Sequence, residues 1–133
     1  MNEEYTESKE LEKIAQAIIK KYSRFEHVEF AEILFLQEWT LKPKAAARCY
    51  KIDGHPMRFY TGKLYVIVFY ENNIHYMNKE QRAILMYHEL RHIGRPKLVD
   101  HNVKEFDEII SNFGVDWAED GASVPNILDG GGL

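Results

Sequence analysis

Tyr87-His88-Glu89-Leu90-Arg91-His92-Ile93-Gly94 is the stretch on which the reading of this chain turns. His88 and His92 are four residues apart, a spacing that stacks two side chains on one face of a helix about one turn apart. Two neutral imidazoles so placed can share one metal ion, and zinc takes two or three of them while keeping a position open. Glu89 follows the first His directly, so it projects beside such an ion rather than onto it. That is the place for a general base acting on a metal-bound water. The local context agrees. Asn78-Lys79-Glu80-Gln81 reads as a capping box that starts a helix, and Ala83, Ile84, Leu85, Met86 and Leu90 give it an apolar side. Gly94 and then Pro96 stop it, the first by taking a left-handed turn and the second because it cannot continue a helix.

Upstream of this helix, Leu64-Tyr65-Val66-Ile67-Val68-Phe69-Tyr70 is the clearest strand. It is almost continuously apolar, which places it inside a sheet with both faces covered. Val28 to Trp39 reads as a second strand and Ala45 to Ile52 as a weaker third, with Cys49 as a small buried hydrophobe. Asp53-Gly54-His55-Pro56 is turn chemistry. Before these, Leu11, Ile14, Ile18, Tyr22 and Phe25 recur at helical spacing and predict an amphipathic helix ending near Arg24. After the site helix, Asn102-Val103-Lys104-Glu105 is another capping box, and Val103, Phe106, Ile109, Ile110 and Phe113 form one face of a last helix. Residues 1–8 and 121–133 read as flexible ends. The expectation is one compact α+β domain over residues 1–133. A small, mostly antiparallel sheet packs on the site helix, with helices flanking it at both ends of the chain.

The bulk properties narrow the setting. A chain of 133 residues, 45% hydrophobic, is large enough for a single core. One cysteine excludes a disulfide framework, and the first ten residues lack a signal-peptide core, so the expected compartment is the cytoplasm. No apolar run approaches membrane-spanning length. The net charge of −4 gives no general basic footprint for nucleic acid. Lys42, Lys44, Arg48, Lys51 and Arg58 form a modest local patch that reads first as a solvated face. A monomer is expected.

A third metal ligand has to come from outside the site helix. If Asn102 caps the last helix, His101 lies just before it, at the end of a return loop opened by Gly94-Arg95-Pro96. His101 therefore joins His88 and His92 as the expected ligand set, with the fourth position left to water. Asp100, Glu105 and Asp107 are rival ligands, or acceptors that hold an imidazole tautomer. Glu105 already has a capping task. His27 reads as a loop or helix-end residue rather than a further ligand, and His55 as a surface loop residue. Tyr76, Tyr87 and Arg95 are near enough in sequence to supply a donor to a developing oxyanion, and the sequence does not choose among them.

His88-Glu89-Leu90 followed by His92-Ile93, the Asp100-His101 turn and Val103-Lys104-Glu105-Phe106 together resemble the phage metallopeptidases, small zincin-like domains of phage and prophage genomes. The resemblance implies zinc, His88 and His92 as ligands and Glu89 as base. Where that family usually has His-Asp at the start of the last helix, this chain has His101-Asn102, which keeps the imidazole and loses a carboxylate. It also departs from the metzincins in the spacing of the third His and in lacking their Met-turn. Three functions fit the sequence: a zinc peptidase acting on a peptide or protein, a zinc-binding interaction module that no longer cleaves, and a hydrolase of a non-peptide amide such as a cell-wall bond. Glu89 favours the first, because a binding module has no use for a base.

Overall fold

The computed structural model describes residues 4–40, 43–52, 56–94, 98, 106–113 and 116–129. Four strands form one sheet in the order β1-β2-β4-β3: β1 is Tyr5–Glu7, β2 Ile33–Glu38, β3 Ala47–Lys51 and β4 Tyr65–Tyr70. The two outer pairings are antiparallel, as expected of a mostly antiparallel sheet, but the central pair runs parallel in the register Ile33↔Tyr65 to Glu38↔Tyr70. All six residues of β4 are buried. Tyr65, Ile67 and Phe69 enter the main core, while Val66, Val68 and Tyr70 join a second cluster with Ile52, Leu34 and Leu36 on the other face. That two-sided burial is what the unbroken apolar run requires.

Helix α1, Lys9–Lys21, begins where the Ser8 side chain accepts from the Leu11 N–H at 3.1 Å. Its buried stripe is Leu11, Ala15 and Ile18. It stops earlier than the sequence predicts because Tyr22 is extended. The Tyr22 hydroxyl donates to the Ile127 carbonyl, its ring meets Tyr87 edge-on, and the chain continues as a short 3-10 turn over Ser23–Phe25. Three further segments differ from expectation. The polar lead-in contains strand β1, held by backbone pairing to β2 rather than by burial of its side chains. Pro56 opens helix α2, Pro56–Thr61, a first-turn position that proline suits. Glu71–Ile74 forms a short helix, α3.

Helix α4, Lys79–Arg91, is the site helix. It packs against α1 on one side and β3 on the other. Being surrounded, it is buried around most of its circumference, at Gln81, Ala83, Ile84, Leu85, Met86, Tyr87, Glu89 and Leu90. The predicted capping box is present: Gln81 N–H donates to Asn78 Oδ1 at 2.8 Å, and Asn78 N–H to Gln81 Oε1 at 3.0 Å. After α4, Ile93 and Leu98 pair as an antiparallel bridge, so the chain reverses beyond Gly94 as the break there predicts. The last helix, α5, is Asp107–Phe113; its predicted Asn102 cap lies outside the described residues. The closing segment is anchored rather than loose as far as Asp129. Ile127 is wholly buried, and Lys21 Nζ donates to the carbonyls of Ile127 and Asp129. No helix among the described residues is long and apolar enough to cross a membrane.

Candidate metal centre

The last turn of α4 brings the two histidines together. His88 Nε2 and His92 Nε2 are 3.3 Å apart, with ring centroids separated by 5.1 Å. Glu89 Oε2 lies 3.6 Å from His88 Nε2. One ligand atom from each of the three residues falls within 4.8 Å of the others, so the group could hold a metal ion. The spacing suits zinc: bonds of about 2.0–2.1 Å at a tetrahedral angle put two ligating nitrogens about 3.3–3.4 Å apart. Helix geometry supplies this without distortion, because residues i and i+4 share a face.

The surroundings are apolar. Phe106, itself buried, meets both imidazoles edge-on, His88 at 5.6 Å and His92 at 5.1 Å between centroids. The Arg91 guanidinium lies over that ring, 4.7 Å from its centroid. Glu89 is 3% exposed, a carboxylate held in a place with little water. A cleft of about 450 Å³ opens in front of it between α4 and β3, with Ala47, Cys49, Met77, Leu98 and Trp117 among its walls. Cys49 is a neutral thiol there: burial, and then the nearby Glu89 charge, hold its pKa well above the usual thiol range. His27 stands behind the end of α4, where its Nε2 is 2.8 Å from the Ile93 carbonyl. The sequence places His27 only after the first helix and carries no sign of this contact with the segment beyond α4.

β3 is an edge of the sheet on the cleft side. Tyr70 N–H donates to the Ala46 carbonyl and Ile52 N–H to the Leu64 carbonyl. In an antiparallel ladder the bonded pairs alternate, so Arg48 and Tyr50 are the ones bonded to β4. The N–H and C=O groups of Ala47, Cys49 and Lys51 therefore point to the open side of the strand, where no other strand stands among the described residues.

The candidate oxyanion donors separate. Tyr87 points away from the cleft, packed edge-on against Phe25 and Tyr22, with its hydroxyl 3.4 Å from Glu108 Oε1. Burial, against the opposing pull of Arg24, pushes its pKa up to about 12. Tyr76 donates to the Ala118 carbonyl at 2.9 Å, on a cleft-lining segment. Arg95, His55, Asp100, His101 and Glu105 lie outside the described residues. Two features were not legible in the sequence. Trp117 and Ala118 wall the cleft although their segment carries no periodic signal. Gln81 Nε2 donates to the carbonyls of Trp117 and Glu119, at 3.0 and 2.8 Å, and so ties that wall to the first turn of the site helix.

Comparison with known families adds one finding: residues 3–125 match the profile of the family described as "Putative phage metallopeptidase". Neither a curated protein nor a solved structure matches the chain.

Proposed function

Since the chain belongs to this family of phage metallopeptidases over residues 3–125, we propose that it is a zinc peptidase that hydrolyses a peptide or protein amide bond. The observation that carries the reading is the 3.3 Å approach of the two Nε2 atoms beside a buried carboxylate at the floor of a cleft. His88, His92 and His101 would hold the metal. His101 remains the choice over Asp100 and Glu105 because the chain turns back after Gly94 and Phe106, five residues beyond His101, rests on both imidazoles. Bound there, zinc supplies water of lowered pKa and polarises the substrate carbonyl.

The chain's own residues do the rest. Glu89 accepts the proton of the attacking water as the new C–O bond forms. It then returns that proton to the amine nitrogen as the C–N bond breaks, so its charge is restored at the end of the cycle. Its apolar setting strengthens each electrostatic contact it makes. The outward N–H and C=O groups of Ala47 and Cys49 offer an extended substrate a strand to pair with, which would lay its backbone along the cleft. The domain spans residues 1–133 and acts as a monomer in the cytoplasm under this proposal.

The decisive experiment joins metal analysis to proteolysis. Zinc-loaded protein is expected to cleave an unfolded protein such as casein, to stop on chelation and to recover with zinc. Stoichiometric zinc without cleavage of any protein or peptide would make the chain a binding module instead. Ligand identity is read from metal content: His101→Ala should lose zinc at concentrations where Glu105→Ala retains it, and the reverse order would assign the third position to Glu105.

A further inference from the structure

The net charge of −4 conceals a strong asymmetry. Between Trp39 and Tyr70 the chain carries six Lys or Arg and a single acid, Asp53, a net +5; the rest of the chain carries eleven against twenty, a net −9. The same basic stretch holds four of the seven large hydrophobic side chains most exposed among the described residues: Trp39, Tyr50, Phe59 and Tyr60. Phe59 and Tyr60 are 86% and 79% exposed and stand edge to face, 5.3 Å apart, on the six-residue helix α2. Arg58 precedes them and is itself exposed. On strand β3, which precedes α2 in the chain, Arg48 and Tyr50 are exposed on the sheet face turned from α4, Arg48 reaching the Tyr50 hydroxyl at 3.5 Å.

We propose that β3 and α2 form a binding surface for single-stranded nucleic acid, in which Phe59, Tyr60 and Tyr50 stack on bases and Arg48 and Arg58 meet phosphates. Packing does not account for these aromatics, since exposing most of a Phe and a Tyr side by side forgoes burial that each would otherwise gain. The kind of side chain selects the partner. An acidic peptide would use the cations and leave the rings idle. A bilayer interface also takes aromatic side chains beside cations, but as a belt at one depth, and the vesicle arm of the test separates that outcome. Flat rings alternating with cations are what a single strand uses, because every base has a face to stack and every linkage a charge. A duplex hides its base faces, so it should bind more weakly than a strand. This binding is separate from hydrolysis, and its failure would leave the peptidase reading untouched.

The test is fluorescence anisotropy with a short labelled oligothymidylate. Parallel arms use the same sequence as a duplex, polyglutamate and phosphatidylserine vesicles. The single strand is expected to bind best, with the logarithm of affinity falling against that of salt at a slope of about −1.4, as two phosphate contacts would give. Replacing both Phe59 and Tyr60 with Ala should weaken strand binding about tenfold or more and leave the thermal melt and casein cleavage unchanged. Arg48→Gln with Arg58→Gln should weaken it and flatten the salt slope. Four results would each overturn the proposal: no strand binding, polyglutamate binding as tight as the strand, vesicle binding without strand binding, or an affinity indifferent to Phe59 and Tyr60. A drop in solution mass in the double-alanine variant would also overturn it, by showing that the rings join two copies of the chain.

Discussion

At the Asn78 end of helix α4 the polar groups meet fixed partners, whereas at the His92 end two of them turn toward each other. Asn78 and Gln81 close a capping box, Gln81 also clamps the Trp117 segment, and Arg82 forms two hydrogen bonds to the Glu71 carboxylate at 3.0 and 2.8 Å. Gln37 donates to the same carboxylate, which joins β2 to α3 and α4. One turn from the other end, two imidazole nitrogens 3.3 Å apart sit beside a buried carboxylate under an aromatic ring. The first arrangement stabilises the helix, and the second makes chemical sense once a cation lies between its members. The bonded end fixes the helix, and Phe106, from the segment before α5, packs on the imidazoles at the other end.

The largest effect that would sharpen this contrast is on the reaction. Glu89→Gln keeps shape and burial but cannot accept a proton, so hydrolysis should fall by about 10²–10⁴-fold while zinc content and melting temperature stay near those of the parent. Parental turnover in that variant would remove Glu89 as the base.

Arg82→Ala attacks the opposite end. It leaves the Glu71 carboxylate buried without its cation, a change expected to cost about 3–5 kcal/mol of stability. Denaturant unfolding measures this directly. At temperatures where the variant is folded, zinc should still bind, because the ligands are two turns away. Loss of metal from a folded Arg82→Ala protein would show that the two ends are not independent.

Removing the metal is the next test. Ligands drawn from α4 and from the segment before α5 would tie two elements together, so apo protein should melt lower. With zinc at about a hundred times its dissociation constant the difference is about 2.7 kcal/mol, on the order of 10 °C for a domain of this size. Identical melts after confirmed chelation would mean that the metal bridges nothing structural.

The same contrast explains what could be read from the sequence. Local signals were legible wherever one element carries them: the Asn78–Gln81 box, the run into Tyr70, and the i, i+4 pair His88 and His92. What depends on distant neighbours was not. Strand β1 has three exposed residues and no pattern of its own; it exists because β2 offers an unpaired edge. The parallel pairing of β2 with β4 is a matter of chain path, which periodicity does not encode. Trp117 is placed at the cleft by core packing and by Gln81, thirty-six residues earlier, which donates to its carbonyl. The basic patch was visible as residues, but its meaning depended on finding Phe59 and Tyr60 exposed beside it.

The smallest expected effect decides the role of a residue that the sequence left open. Tyr87 adjoins His88 in the chain, and adjacency made it a candidate oxyanion donor. On a helix, neighbours in sequence project about 100° apart, and here that rotation sends Tyr87 into the packing between α4 and the Tyr22–Phe25 turn. Its hydroxyl serves Glu108, which Arg91 already engages at 2.6 Å. Tyr87→Phe removes one long hydrogen bond and keeps both edge-on ring contacts. The expected result is a loss of less than about 1 kcal/mol in unfolding free energy and an unchanged kcat. A fall in kcat of more than tenfold with normal zinc content would mean that Tyr87 reaches the reacting carbonyl after all. The helix would then have to rotate during the reaction, and the division of α4 into a fixed end and a reactive end would fail.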